Sequence, residues 1–390
     1  MRTRVWLALI LVLSGMQSAE ANPKVKSGLP CATQSQVQIN KNIFRGQIFI
    51  CQASAKGLTW RLLLEKKFIS EYEKTKLIAY SEINGALESR NSKNAILKFG
   101  IGKSFPKDLA EIYKKQSIRA SRLYGSFFTK PEIVNIHLYT EKETSFVDSF
   151  PVFANSWDQS SRQEWYKRWE SGQGREHNIG LAAFFSEYPT GVWEGHAGLM
   201  VYSGATSSSL RRYAIQVMPH EYFHVVQDYY FRKNWEEYLR ENNIRGDGRD
   251  IFDTFFPPIF REGSANTISF ALASETPTYY LDFYKSFVEE KKRQTDIKTF
   301  AKLNSTKSVI EVLKSIELQN KNKEAHEASY MIGQLVFEWF IAKYGFSTYE
   351  KLIKNQLTGN GFEDNLMKSA GITLKQLYEG AAPHIVAAFR

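Results

Sequence analysis

Cysteine is almost missing from this chain, with 2 residues in 390, Cys31 and Cys51. Both lie near the N-terminal end, far from the histidine motif below, so they are poor candidates for zinc ligands. In an oxidising compartment they read as one disulfide closing a loop of about twenty residues, worth roughly 3 kcal/mol if unstrained. The other reading is a pair of buried thiols. Long apolar runs are also missing beyond the first 16 residues, and nothing later approaches the roughly twenty needed for a membrane span. The basic residues, although in excess, are neither clustered nor set on a reading motif, which argues against a nucleic-acid module. Histidine is scarce, with 7 in the chain.

The first residues read as an export leader. Arg2 and Arg4 give a basic start, Val5 to Met16 an apolar core, and Ala19-Glu20-Ala21 a small-x-small cleavage site. Residues 1–21 are therefore expected to be a signal peptide, and the mature chain to be periplasmic or extracellular. Loss of Arg2, Arg4 and Glu20 takes the net charge from +10 to +9. Such an excess is mainly a solvated surface, with contact to an anionic surface as the alternative.

Residues 22–105 are expected to form a small N-terminal α/β region and residues 106–390 a larger α+β domain. Val37-Gln38-Ile39 and Gln47-Ile48-Phe49-Ile50 alternate as strands. From Leu58 to about Ile83 the spacing predicts a helix, and the polar stretch Glu88 to Asn94 a boundary. A second helix is expected from Pro106 to about Leu123, followed by a strand over Ile133 to Tyr139. His137 on that strand reads as a packed or edge histidine. The segment 151–193 carries Trp157, Trp165, Trp169 and Trp193 and predicts a helix near 158–170, packed on the body or walling a cleft. Ala197 to Ser203 reads as a short strand. Past residue 325 three helices are expected, with capping boxes at Ser347/Glu350 and Thr373/Gln376.

Five residues carry the chemistry: His220-Glu221-Tyr222-Phe223-His224. On a helix, positions i and i+4 share a face, so two imidazoles converge on one cation. Glu221 then lies beside the open side of that cation, where it can take a proton from water. Pro219 predicts either a kink or a helix that starts afresh there. A catalytic zinc needs a third protein ligand. Glu262, in Phe260-Arg261-Glu262-Gly263-Ser264-Ala265-Asn266, fits best, with Asn266 one turn on to orient an imidazole. Asp228, Glu236, Glu237 and Glu241 are rival third ligands.

With these residues the chain resembles the gluzincin metallopeptidases of thermolysin type. It resembles more closely the MA-like peptidase group, whose members show an E-G-x-A stretch after the metal helix. The matching stretches are Glu262-Gly263-Ser264-Ala265, Tyr330-Met331-Ile332-Gly333 and Lys343-Tyr344-Gly345, in that order. The resemblance covers roughly residues 106 to 390. It implies a zincin-like domain with a small mixed sheet, an active-site helix and a helical C-terminal half. It implies Zn2+ held by His220, His224 and Glu262, with Glu221 as general base and a polypeptide as substrate.

Two features depart from the family. Thirty-eight residues separate His224 from Glu262, a long spacing whose charged insert, about Arg232 to Phe256, suggests a flap. Asn266 stands where many relatives carry Asp. The signature G-x-M-E-N is absent, which favours endopeptidase over aminopeptidase action. The strand at 197–203 is expected to pair with an extended substrate. Tyr330, His326 and His196 are candidates for stabilising an oxyanion. The alternative functions are a secreted binding or envelope protein on the same fold, and hydrolysis of a non-peptide amide or ester.

Overall fold

The computed structural model describes residues 30, 37–41, 46–54, 57–65, 70–90, 92–140, 142–143, 179–187, 193–201, 207–242, 254–282, 285, 289, 302–318, 323–357 and 359–390. The expected leader, Cys31 and the helix near 158–170 lie outside them. The architecture is α+β and mostly helical.

Three antiparallel strands come first: β1 (Val37–Lys41), β2 (Gly46–Ser54) and β3 (Gly57–Glu65), in that order across the sheet. The helix expected from Leu58 is thus a strand as far as Glu65. Leu58, Trp60, Leu62 and Leu64 alternate with Thr59, Arg61 and Leu63, the period of a strand, and Trp60 sits opposite the buried Cys51. Helix α1 (Glu71–Arg90) starts only at a reciprocal cap. The Glu73 amide donates to Ser70 Oγ at 3.2 Å, and the Ser70 amide donates to Glu73 Oε2 at 3.1 Å.

A second sheet has the order β4 (Ala95–Ile101), β5 (Glu132–Thr140), β7 (Trp193–Val201), β6 (Ile179–Glu187). The first three are parallel, and β6 runs antiparallel to β7. Helix α2 (Lys107–Tyr124) is the crossover between β4 and β5. Strand β6 was not anticipated, since its Ile-Gly-Leu-Ala-Ala-Phe-Phe run has no clean alternation. It also changes the role of β7. With β5 on one side and β6 on the other, β7 has no edge left for a substrate, contrary to expectation. Val134, Ile136 and Leu138 of β5, with Ala197, Leu199 and Val201 of β7, point into the core. There they join Leu109, Tyr113 and Leu123 of α2.

The motif His220 to His224 lies on α3 (Ser207–Asn242), one 36-residue helix that runs through Pro219 without restarting. The Pro219 carbonyl accepts a hydrogen bond from the buried Tyr124 hydroxyl at 2.8 Å. The same helix takes up the first half of the expected flap, and its Phe231 stacks on Trp235 and packs edge-on against Phe256.

Helix α4 (Pro258–Ala273) is buried almost all round and lies between α3 and α6 (Lys323–Tyr344). Pro258 stands at its first turn, where a missing amide hydrogen costs nothing. Further helices among the described residues are α5 (Thr306–Leu318), α7 (Phe346–Lys354), α8 (Phe362–Ala370) and α9 (Leu374–Phe389). Helix α8 adds one to the three expected. The Thr373/Gln376 box is present. The Ser347/Glu350 box is not: α7 starts at Phe346, whose amide donates to Glu82 of α1 at 3.0 Å.

Strands β4 and β5 form a continuous parallel ladder, and Lys76 of α1 donates to Glu338 of α6 at 2.8 Å, both fully buried.

Candidate metal centre

Helix α3 turns one stripe towards α4: Gln216, His220, His224 and Gln227, at spacings of four, four and three. His220 Nε2 and His224 Nε2 are 3.1 Å apart. Across from them, Glu262 Oε2 of α4 lies 3.4 Å from His220 Nε2 and 3.3 Å from His224 Nε2. The three atoms make a nearly equilateral triangle. Bonds of about 2.0–2.1 Å to a tetrahedral zinc would set ligand atoms roughly 3.3 Å apart. Two imidazole nitrogens and one carboxylate oxygen, converging at that separation with His220 and Glu262 buried and His224 partly so, fit the metal that the sequence motif implies. Among the described residues these three form the cluster able to hold a metal ion. Of the rival ligands, Asp228 instead pairs with Arg232 at 2.7 Å.

The other oxygen of Glu262 is held separately: Arg261 Nε donates to Oε1 at 3.0 Å, leaving Oε2 for the triangle. Burial opposes ionisation of Glu262, yet the His224 charge and hydrogen bonds from both imidazoles hold its carboxyl well below the usual range. His224 moves the other way. Burial disfavours its charged form, but Glu262, Glu221 and Gln227 outweigh this and raise its pKa. Glu221 is raised chiefly by burial, with Glu262 adding and the two histidines opposing. A carboxyl raised in this manner holds a proton more readily than a free one, the direction that suits a group exchanging protons with its surroundings.

Tyr330 of α6 stacks its ring on His220, with centroids 5.8 Å apart and an interplanar angle of 21°. Burial, then the charges of Glu262 and Glu221, push its hydroxyl well above the ordinary range, so it stays a donor. Of the three oxyanion candidates, Tyr330 is the one at the triangle. His196 is in the sheet, 3.3 Å from His137 through Nδ1 and Nε2, and the His326 side chain lies outside the described residues.

Asn266 does not orient an imidazole. Its Oδ1 accepts from Gln216 Nε2 at 2.9 Å and its Nδ2 donates to the Tyr330 carbonyl at 3.0 Å, so it ties α3, α4 and α6 together. Gln227, which the sequence reading missed, is the residue on His224: its Oε1 lies 2.7 Å from His224 Nδ1. The available signal was its place three residues after His224, on the same helical face.

In comparisons with family models, curated proteins and solved structures, the chain matches none.

Proposed function

We propose that the chain is an exported zinc-dependent peptidase of gluzincin type, acting as an endopeptidase on polypeptide substrates. The observation that carries this reading is the largely buried triangle of His220, His224 and Glu262 with the Glu221 carboxyl beside it. When bound, zinc supplies a Lewis acid that polarises a carbonyl and acidifies water. His220, His224 and Glu262 hold it. Glu221 takes the proton from the attacking water at its carboxylate and returns it to the leaving amine. Tyr330 donates its phenolic proton in a hydrogen bond to the oxygen where negative charge develops. Strand β6, last in the sheet and packed against α3, takes over the role first expected of β7 and aligns an extended substrate. Among the described residues no helix is long and apolar enough to cross a membrane. Export rests on the leader-like residues 1–21, and contact with an anionic surface on the excess positive charge.

The test is Glu221→Gln in the mature chain. Peptide hydrolysis should fall by at least roughly a thousandfold while zinc content stays at one per chain. Retained hydrolysis would refute the assignment. A wild-type chain that takes up zinc yet cleaves no peptide would favour the binding-protein alternative.

A further inference from the structure

Gln227 joins two parts of the candidate centre at once. Its Nε2 donates to the Arg261 carbonyl and to Ser264 Oγ, both at 3.0 Å, while its Oε1 faces His224 Nδ1 at 2.7 Å. A backbone carbonyl only accepts, so the amide nitrogen must be the end that faces Arg261. The oxygen is then the end that faces His224, and a neutral His224 ring must carry its proton on Nδ1. That leaves the Nε2 lone pair pointing at His220 and Glu262. The tautomer is thus fixed by a main-chain group one residue before Glu262.

We propose that Gln227 is a positioning residue: it sets His224 in the tautomer that ligates through Nε2 and fastens α3 to the turn of α4 bearing Glu262. This rests on the reading of the triangle as a metal centre. The chemistry accounts for glutamine at this position. A carboxylate would accept from His224 equally well but would meet the Arg261 carbonyl with repulsion. An alcohol is too short to span both helices. Ligating histidines usually direct their second nitrogen to such a partner, and loss of one typically weakens metal binding ten- to a hundredfold.

The experiment compares wild type, Gln227→Met and Gln227→Glu in the full mature chain. Nitrogen-15 NMR of the metal-free proteins at alkaline pH reads the His224 tautomer, and chelator competition reads Zn2+ affinity. Wild type should show the Nδ1–H form. Gln227→Met should show a mixture and bind Zn2+ ten- to a hundredfold more weakly. Gln227→Glu should restore the tautomer without restoring full affinity. An Nε2–H ring in wild type overturns the proposal, as does a folded Gln227→Met variant with unchanged tautomer and affinity. If Gln227→Met fails to fold, the wild-type tautomer and the Gln227→Glu affinity still decide. If wild type binds no Zn2+, the peptidase reading falls, while the tautomer measurement continues to judge Gln227.

Discussion

Gly263 and Gly333 meet backbone to backbone where α4 crosses α6. A Cβ on Gly263 would stand 2.3 Å from the Gly333 carbonyl carbon, and one on Gly333 would stand 2.7 Å from the Ile259 carbonyl oxygen. The two glycines belong to the E-G-x-A and Y-x-x-G stretches, which lie seventy residues apart in the chain. Their contact brings Tyr330, one turn before Gly333, next to Glu262, one residue before Gly263. The Thr267 hydroxyl ties the crossing by sharing its one hydrogen between the Gly263 and Gln334 carbonyls, each 2.9 Å from its oxygen.

Gly333→Ala should therefore destabilise the protein by about 3 kcal/mol, the upper end of ordinary overpacking, because the obstacle is main chain rather than a movable side chain. Urea unfolding measures this. The variant should also lose zinc more readily than wild type, and a destabilisation below about 1 kcal/mol would mean that the helices are free to separate.

Tyr330→Phe keeps the ring on His220 and removes only the hydroxyl. Steady-state kinetics should show kcat lowered by roughly a hundred- to a thousandfold with KM little changed, the pattern of a donor used only in the transition state. Zinc content should not change.

Lys76→Met tests the tie between α1 and the helical body. Glu338 accepts from Lys76 and from Tyr280 through Oε1 and pairs with His384 through Oε2 at 2.8 Å, with all four residues buried. Removing the cation alone leaves a buried carboxylate short of its partner and should cost about 3–5 kcal/mol. The double variant Lys76→Met/Glu338→Leu should recover part of that loss in the same unfolding assay, since it removes both charges together.

Stability should fall on acidification in two overlapping stages. Burial lowers the His137 pKa to about 3, with the neighbouring His196 adding, and burial lowers His196 to about 4 against the pull of Glu194. Both rings are neutral in the folded protein, so below about pH 6.5 the unfolded chain binds more protons and stability drops. Glu338 follows. Burial opposes its ionisation, but Lys76 and His384 bring it down to about 2, so its contribution is lost as pH falls from about 4.5 towards 2. His137→Asn should make the limb between pH 6.5 and 4 shallower in urea titrations, and an unaltered slope would contradict this assignment.

How much of this was legible beforehand depended on the range over which each signal acts. The spacing of His220 and His224 is a property of one helical turn, whereas the approach of Glu262 to them depends on how two helices pack. Over Leu58 to Glu65 the apolar residues satisfy both periods within a short window, and pairing with β2 decides for the strand. Asn266 was assigned to an imidazole by its distance along α4, whereas its partners came from α3 and α6. The place of Gln227 three residues after His224 puts it on the same helical face, but its contacts with Arg261 and Ser264 come from another helix and leave no local mark.

The amino-acid order by itself set the donor types, their helical face, the cap at Thr373 and the amphipathic alternation of β5, because these are fixed within a few residues by backbone geometry. Only the tertiary structure decided that Gly263 meets Gly333, that Gln227 holds His224, that β7 is an interior strand and that Lys76 belongs to Glu338. Each of those pairs elements far apart in the chain, and the choice among partners is made by packing and by the need to satisfy buried polar groups, neither of which a local pattern encodes.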